Sequence, residues 1–534
     1  MEPNPAYLAL ILICNTHLFL IKYAIMNKRI YAYIKENINE DEVFTSSVLP
    51  DDPNPSIPHP FGSEDSFFYT TEIPSDMKGA SSVLKLLREY LAAPSVEKRV
   101  LLYRNLQRTV TVSICDPIVD AFTADDITDQ TLELARQLFY NSTHREPVKF
   151  AYLLFGLYGM KSIYDNNKEL WQDLLTVARC EEFTFHFLYA CRITSFLPQK
   201  EIWQIIASTK GWGKVFAISE AICDDEAKAL WLIKNAYDLN VEYHPLSLKV
   251  INSARLDEIL KGEQLDHDAI KGAMAICNSY LVLLDRYPVN VIEESFNIGN
   301  FSTYELLHNL LRQAKAFADN PADVLDVVGL RIGLEALLQD DATYTLGQNN
   351  THLLIAECES FIFSRDWTEE VKAKLIVDGQ VDYDIADFAY ELEIDIWDEL
   401  FNFWCHNPNE TKLFAYLLSY EGQDRSDLVM HSICANLRMF QESSDALLVP
   451  LNYLKNHTGE GESIIISGLT GMYDWPRGVA TATLEAWDRS DITPAIREAL
   501  MKALALSNNP VVTARIEALL KGEEFTMPGA EDMS

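Results

Sequence analysis

The 534-residue chain carries 79 acidic against 44 basic side chains, a formal charge of −35. A phosphate backbone is gripped by Lys and Arg that displace counterions, so this balance argues against nucleic acid as a partner. Hydrophobic residues at 48% and charged residues at 23% describe a globular chain with a large core, yet the length exceeds one such core unless the chain is an array whose units pack only on their neighbours.

Tyr7 to Ile25 is long enough to span a bilayer, but Asn15, Thr16 and His17 in its middle and Lys22 near its end are costly in hydrocarbon. Glu2 replaces the basic start of a signal peptide and no small-residue cleavage site follows. Residues 1–25 therefore read as an upstream extension, with a weak membrane anchor as the alternative. From Met26 the pattern changes: Ile30, Tyr33, Ile34 and Ile38 recur at helical spacing. Leu49 to Pro60 holds five prolines in twelve residues, which rules out helix and sheet ladder alike, and the aromatics of the following Phe61–Phe68 text are expected to pack on later helices.

From about Lys78 the pattern is helical throughout. Apolar stripes run along Leu84, Leu87, Leu91, along Leu132, Ala135, Leu138, Phe139, and along Tyr304, Leu307, Leu310, Leu311, Ala314. Asn320-Pro321, Asn407-Pro408, Thr493-Pro494 and Asn509-Pro510 each set a polar cap before a first-turn proline. The pentapeptide Phe150–Leu154 recurs as Phe414–Leu418, each copy after a His- and Pro-containing stretch and ahead of Gly159 or Gly422. Unequal spacing makes this a degenerate array. The predicted fold is all-α, an irregular α-solenoid of antiparallel helical hairpins of HEAT-like type. Its parts are the 26–77 helix and Pro-rich loop, helical halves at 78–285 and 286–522, and a flexible tail at 523–534.

Candidate chemistries mostly dissolve on inspection. Nine scattered cysteines with no C-x-x-C pair suit a reducing, cytoplasmic setting, and Cys405 and Cys434, in apolar helical text, read as core residues. The basic stretch Lys98 to Arg108 reads as a solvated helix face. Gly211-Trp212-Gly213 lacks the third small residue of a dinucleotide loop and follows a helix, so it reads as a tight turn between helices. Glu305-Leu-Leu-His308 is a single pair where a di-iron site needs two, which leaves a solvated glutamate and an ordinary histidine. Cys405-His406 with His431 and Cys434 counts four soft ligands, but the adjacent pair points in different directions on a helix, and no metal site is assigned.

Asp378 to Glu399 is strongly acidic, and its interleaved Ile385, Phe388, Leu392 and Ile396 predict one amphipathic helix with a solvated acidic face. As a functional surface it would dock a basic partner, and Asp384, Asp387 and Glu391 are the nominated interaction residues.

At Gly211-Trp-Gly-Lys-Val-Phe-Ala-Ile-Ser-Glu-Ala-Ile222, with Trp231-Leu-Ile following, the chain resembles a family of bacterial helical-repeat proteins; Arg29 to Ile38 and Leu49-Pro50 resemble the same family's amino terminus. Several members are labelled limonene hydroxylase. The resemblance implies oxidation of limonene to allylic alcohols (carveol, perillyl alcohol) with NAD or NADPH, together with a perillyl alcohol dehydrogenase activity; it identifies no catalytic or cofactor-binding residue. Phe216 stands where the family tends to have His, and Phe61 to Tyr69 departs from the family's loop. The alternative is a non-catalytic helical-repeat scaffold that binds a protein or an apolar ligand. The partner is then a small apolar substrate on the first reading and a protein on the second.

Overall fold

In the computed structural model, residues 28–52, 60–71, 73–287, 291–292, 301–317, 320–339, 346–420, 423–440, 445–507, 509–523 and 525 are described. The expected extension at 1–25, most of the Pro-rich loop, Gly422 and nearly all of the tail lie outside them. The described residues group into two compact units, one within Met1–Ala318 and Gly329–Phe361, the other within Asp319–Val328 and Ile362–Ser534. The first unit thus continues well beyond residue 285. Among the described residues no helix is long and apolar enough to cross a membrane.

The chain is all-α, and local chemistry sets the helix starts. Thr493 accepts the Ile496 amide ahead of Pro494, and Asn509 accepts those of Val511 and Val512 ahead of Pro510, as side-chain caps do for the orphan donors of a first turn. A helix also starts at Pro321. Asn407-Pro408 behaves differently: Asn407 closes the preceding helix, and the next begins only at Leu413.

Helices of the first unit include α1 (Ile30–Glu36), α2 (Ser63–Thr70), α3 (Asp129–Asn141), α4 (Arg145–Tyr158), α5 (Glu181–Ile193), α6 (Gly211–Glu220), α7 (Glu226–Asn235), α8 (Pro245–Ala254) and α9 (His267–Arg286). α3 packs on α4, α4 on α5 and α5 on α6; further along, α7 and α8 pack on each other and both on α9. Every residue of α4 from Pro147 to Gly156 and of α5 from Glu182 to Cys191 is buried, so these two helices are surrounded rather than one-sided. Aromatic rings fill the space between layers: Phe139 meets Tyr152 and Phe155 edge to face, and the Tyr152 hydroxyl donates to the Leu174 carbonyl at 2.7 Å. α1 is tied in through Asp173, whose two carboxylate oxygens accept the Tyr31 and Tyr140 hydroxyls at 2.6 and 2.7 Å.

In the second unit a helix at Thr368–Lys374 leads into a small hairpin, β1 (Ile376–Val377) antiparallel to β2 (Gln380–Val381), with Ile376 opposite Val381. Then come α10 (Tyr383–Glu391), α11 (Trp397–His406), α12 (Leu413–Ser419), and near its end α13 (Glu462–Thr470), α14 (Asp474–Ala486), α15 (Pro494–Leu506) and α16 (Pro510–Lys521). In this last group α13 packs on α14 and α15, and α16 packs on α14 and α15. α13 therefore touches both the next helix and the one after it.

Three expectations need correction. The acidic run is not one helix: it spans the hairpin, α10 and the start of α11, because Glu393 adopts a left-handed φ of 55° and breaks the chain between them. The two pentapeptide copies do not occupy equivalent positions. In α4 all five residues are buried in mid-helix, whereas Phe414 is the second residue of the seven-residue α12, where Ala415 is exposed and Tyr416 half-buried. In α2 the aromatics are not the inward face either; Asp65 and Ser66 are buried while Phe67 is 57% exposed.

The Gly211-Trp-Gly213 motif explains how α6 lies so close to α5. Gly211 opens α6 with φ +49°, a conformation that strains any residue with a Cβ, and a Cβ on Gly213 would stand 2.9 Å from the Thr184 hydroxyl and 3.1 Å from the Glu181 Cα. The backbone of Glu181 cannot yield without moving α5. Gly213→Ala is therefore expected to destabilise the protein by roughly 1–3 kcal/mol in urea unfolding, through overpacking; an unchanged midpoint would show that the two helices have slack.

Candidate functional site

Two groups of side chains stand out, one sealed inside the first unit and one open on the second. The sealed group surrounds Lys149 of α4, whose side chain is 0% exposed. Its ammonium lies 3.0 Å from Asp65 of α2, 2.8 Å from Glu182 of α5 and 3.2 Å from Glu146 one turn back on α4. His186 of α5 meets the other Asp65 oxygen at 3.1 Å. Glu182 also accepts the Gly62 amide at 2.9 Å, and Glu146 accepts the Thr111 amide at 2.6 Å. Arg145 extends the network, contacting Glu182 at 3.3 Å and pairing with Asp51 and Asp52.

Burial by itself would strip Lys149 of its proton, but the three carboxylates around it outweigh that and hold its pKa above the ordinary lysine value. Asp65, which burial would push up, is instead held below the usual carboxylate range by Lys149 and His186. Both groups are charged at neutral pH. With Asp65 at 1% exposure and Lys149 at 0%, a dissolved substrate does not reach them. What the arrangement does is fasten: one ammonium joins α2, α4 and α5, and Glu146 adds the helix that starts at Thr111.

Beside it, Glu181 sits at the α5–α6 contact, where its carboxylate accepts the Lys210 amide at 3.2 Å. Burial pushes its pKa up to about 7 despite that amide and the nearby Lys210 charge. Since the folded value exceeds the ordinary 4.5 of a free glutamate, the folded protein holds an extra proton between those values. Stability is then fully present below about pH 4.5 and declines as pH rises through 7. Glu181→Gln is expected to remove this decline, stabilising the protein at pH 8 by roughly 2 kcal/mol more than at pH 5. Equal effects at the two pH values in urea titrations would contradict it.

The open group lies on the acidic segment. Asp382 caps α10 by accepting the Asp384 and Ile385 amides, and α10 buries Ile385, Ala386, Phe388 and Ala389. That orientation leaves Asp384, Asp387 and Glu391, at the i, i+3, i+7 spacing, on the exposed face. Among the described residues no basic side chain comes within ion-pair distance of any of the three. Two other carboxylates of the segment are compensated: Asp395 pairs with Arg425 at 2.7 Å and Glu399 with Lys372 at 2.9 Å.

Asp387 also lines a cleft of about 670 Å³ together with Tyr383 and Tyr390 of α10, Tyr416 of α12, and Lys412. The Tyr383 and Tyr416 rings are 6.0 Å apart and inclined by 34°. Tyr416 donates to Asp387 at 2.5 Å and Tyr383 to Glu410 at 2.7 Å. Burial, and then these bonds to carboxylates, raise both phenol pKa values, so both rings stay neutral. Tyr390 is 52% exposed at the rim, and the Lys412 ammonium stands 5.4 Å from the Tyr383 ring centre. The cleft can offer aromatic faces and one carboxylate to a guest.

The remaining sequence candidates fall apart. Glu305 is exposed and His308 contacts Glu357 at 2.9 Å. Cys405 is exposed and Cys434 half-buried beside Ser463, which corrects the expectation that both are core residues. The His406 and His431 rings each face a carbonyl one turn back, those of Asn402 and Asp427. Among the described residues no three His, Cys, Asp or Glu side chains are placed to hold a metal ion. Phe216 meets Phe185 edge to face and Trp212 at a tilt of 30°, and the space beside it is only about 10 Å³.

Sequence reading found the acidic face but missed the tyrosines behind it. Tyr383, Asp387 and Tyr390 lie at i, i+4, i+7, a stripe that helical spacing could have shown; Tyr416 joins them only through the fold. No protein-family model, no curated protein and no solved structure matches this chain.

Proposed function

We propose that this protein is a helical-repeat interaction scaffold of HEAT-like type that docks a basic partner on the face of α10. The observation that carries the reading is the set of three exposed carboxylates, Asp384, Asp387 and Glu391, without basic neighbours at ion-pair distance among the described residues, beside an aromatic cleft. Uncompensated charge around a concave apolar surface favours steering and holding an oppositely charged partner. Helices that pack on both the next and the second-next helix support the array reading, since stacked repeats make such contacts.

The second reading is the limonene hydroxylase that the resemblance implies, with NAD or NADPH. It is supported by the resemblance alone, at Arg29–Ile38, Leu49-Pro50, Trp231-Leu-Ile and, most extensively, at residues Gly211–Ile222. Those residues serve the close α5–α6 packing, and the space at Phe216, about 10 Å³, is far below what a ten-carbon terpene occupies.

One pair of experiments separates the readings. A photo-crosslinking residue at Glu391 in cells is expected to capture a discrete partner, and Asp384→Lys with Asp387→Lys to abolish the capture, while the same probe at Glu226 of α7 captures none. Capture insensitive to the charge reversal, or equal at both positions, would contradict the scaffold reading. Allylic alcohols formed from limonene and reduced nicotinamide in proportion to purified protein would establish the enzyme instead.

A further inference from the structure

We propose that the α10–α12 cleft is an arginine receptor: a guanidinium carried on an extended basic segment of the partner enters between Tyr383, Tyr390 and Tyr416 and pairs with Asp387. The inference rests on the docking reading above and names its chemistry. A cleft with three tyrosines and one exposed carboxylate presents ring faces, whose quadrupoles attract a cation, and an acceptor at one end. Asp387 accepts the Tyr416 hydroxyl through one oxygen, and a carboxylate has capacity for several donors. Asp384 and Glu391, on the same exposed face of α10, add attraction for neighbouring basic residues.

Arginine fits better than lysine on physical grounds. Its guanidinium is planar, weakly hydrated and able to stack on tyrosine while donating in a fork to a carboxylate, whereas an ammonium holds its water and donates from a point. The cleft, at about 670 Å³, also has room for the flanking peptide. The Tyr383 ring already faces one cation, since the Lys412 ammonium lies 5.4 Å from its centre. That lysine is exposed, and it competes with the guest for the same face.

The test uses the whole protein and two fluorescein-labelled peptides of alternating glycine with either arginine or lysine, compared by anisotropy at 0.15 M salt. The arginine peptide is expected to bind about tenfold tighter than the lysine peptide. Tyr390→Ala, at an exposed rim position, and Asp387→Asn should each weaken arginine binding about five- to tenfold. Lys412→Met should strengthen it by more than the removal of one distant positive charge, matched by Lys502→Met on α15. Equal binding of the two peptides, with no effect of Tyr390→Ala but weakening on Asp384→Asn, would overturn the arginine receptor while leaving an acidic docking face. Absence of binding by either peptide at 0.15 M and at 0.02 M salt would overturn both.

Discussion

The Lys149 ammonium is the contact on which the first unit depends. It is wholly buried among Asp65, Glu146 and Glu182, so it joins a residue 84 positions earlier to one 33 positions later. Taking such charges out of water costs several kcal/mol per ion, and their attraction repays this only when the partners are all present. These contacts are close ion pairs rather than well-aligned hydrogen bonds, so an apolar core of the same shape would serve stability as well. What charge adds is register. An apolar α2 could slide on α5, whereas Asp65 must stand between Lys149 and His186, and Gly62 must reach Glu182.

That fastening has consequences for the surrounding helices. With α2 held at its polar face, Phe67 is left outside and the Gly62 turn is set against Trp212 and the carbonyl of Glu181. The α5–α6 contact is equally tight from the other side, through Gly211 and Gly213. Charge in this unit is used inwardly, as a clamp. On α10 carboxylates face outward: Asp384, Asp387 and Glu391 stay in water, with no basic side chain at ion-pair distance among the described residues, beside Tyr383, Tyr390 and Tyr416. An acidic chain of net −35 can do both because solvation separates the two uses.

Much of this is legible in the amino-acid sequence, and the limits have physical causes. Caps work through local bonds, so Thr493-Pro494 and Asn509-Pro510 announced α15 and α16 correctly, and periodicity placed Asp384, Asp387 and Glu391 on one solvated face. Asn407-Pro408 looked the same in text but closes a helix, because a polar residue before proline suits either end. The Lys149 network was invisible, since nothing local to Pro147-Val-Lys149 signals that Asp65 will arrive. Repetition misled for a related reason: Tyr152 and Tyr416 occupy the same pentapeptide, yet one donates to a buried carbonyl and the other to an exposed carboxylate. Cys405 looked buried amid apolar neighbours because its helix face is fixed only by where α11 packs.

The clamp is tested most directly by a double-mutant cycle on Lys149 and Asp65, using Lys149→Met, Asp65→Leu and the pair, with unfolding free energies from urea titrations. Each single change leaves buried charge without its counterpart and is expected to cost about 3–5 kcal/mol, while the double change should cost clearly less than their sum, a coupling of roughly 2 kcal/mol or more. Additive losses would show that the two groups do not act together, and would contradict the view that this one ammonium sets the register of α2 on the helices beneath it.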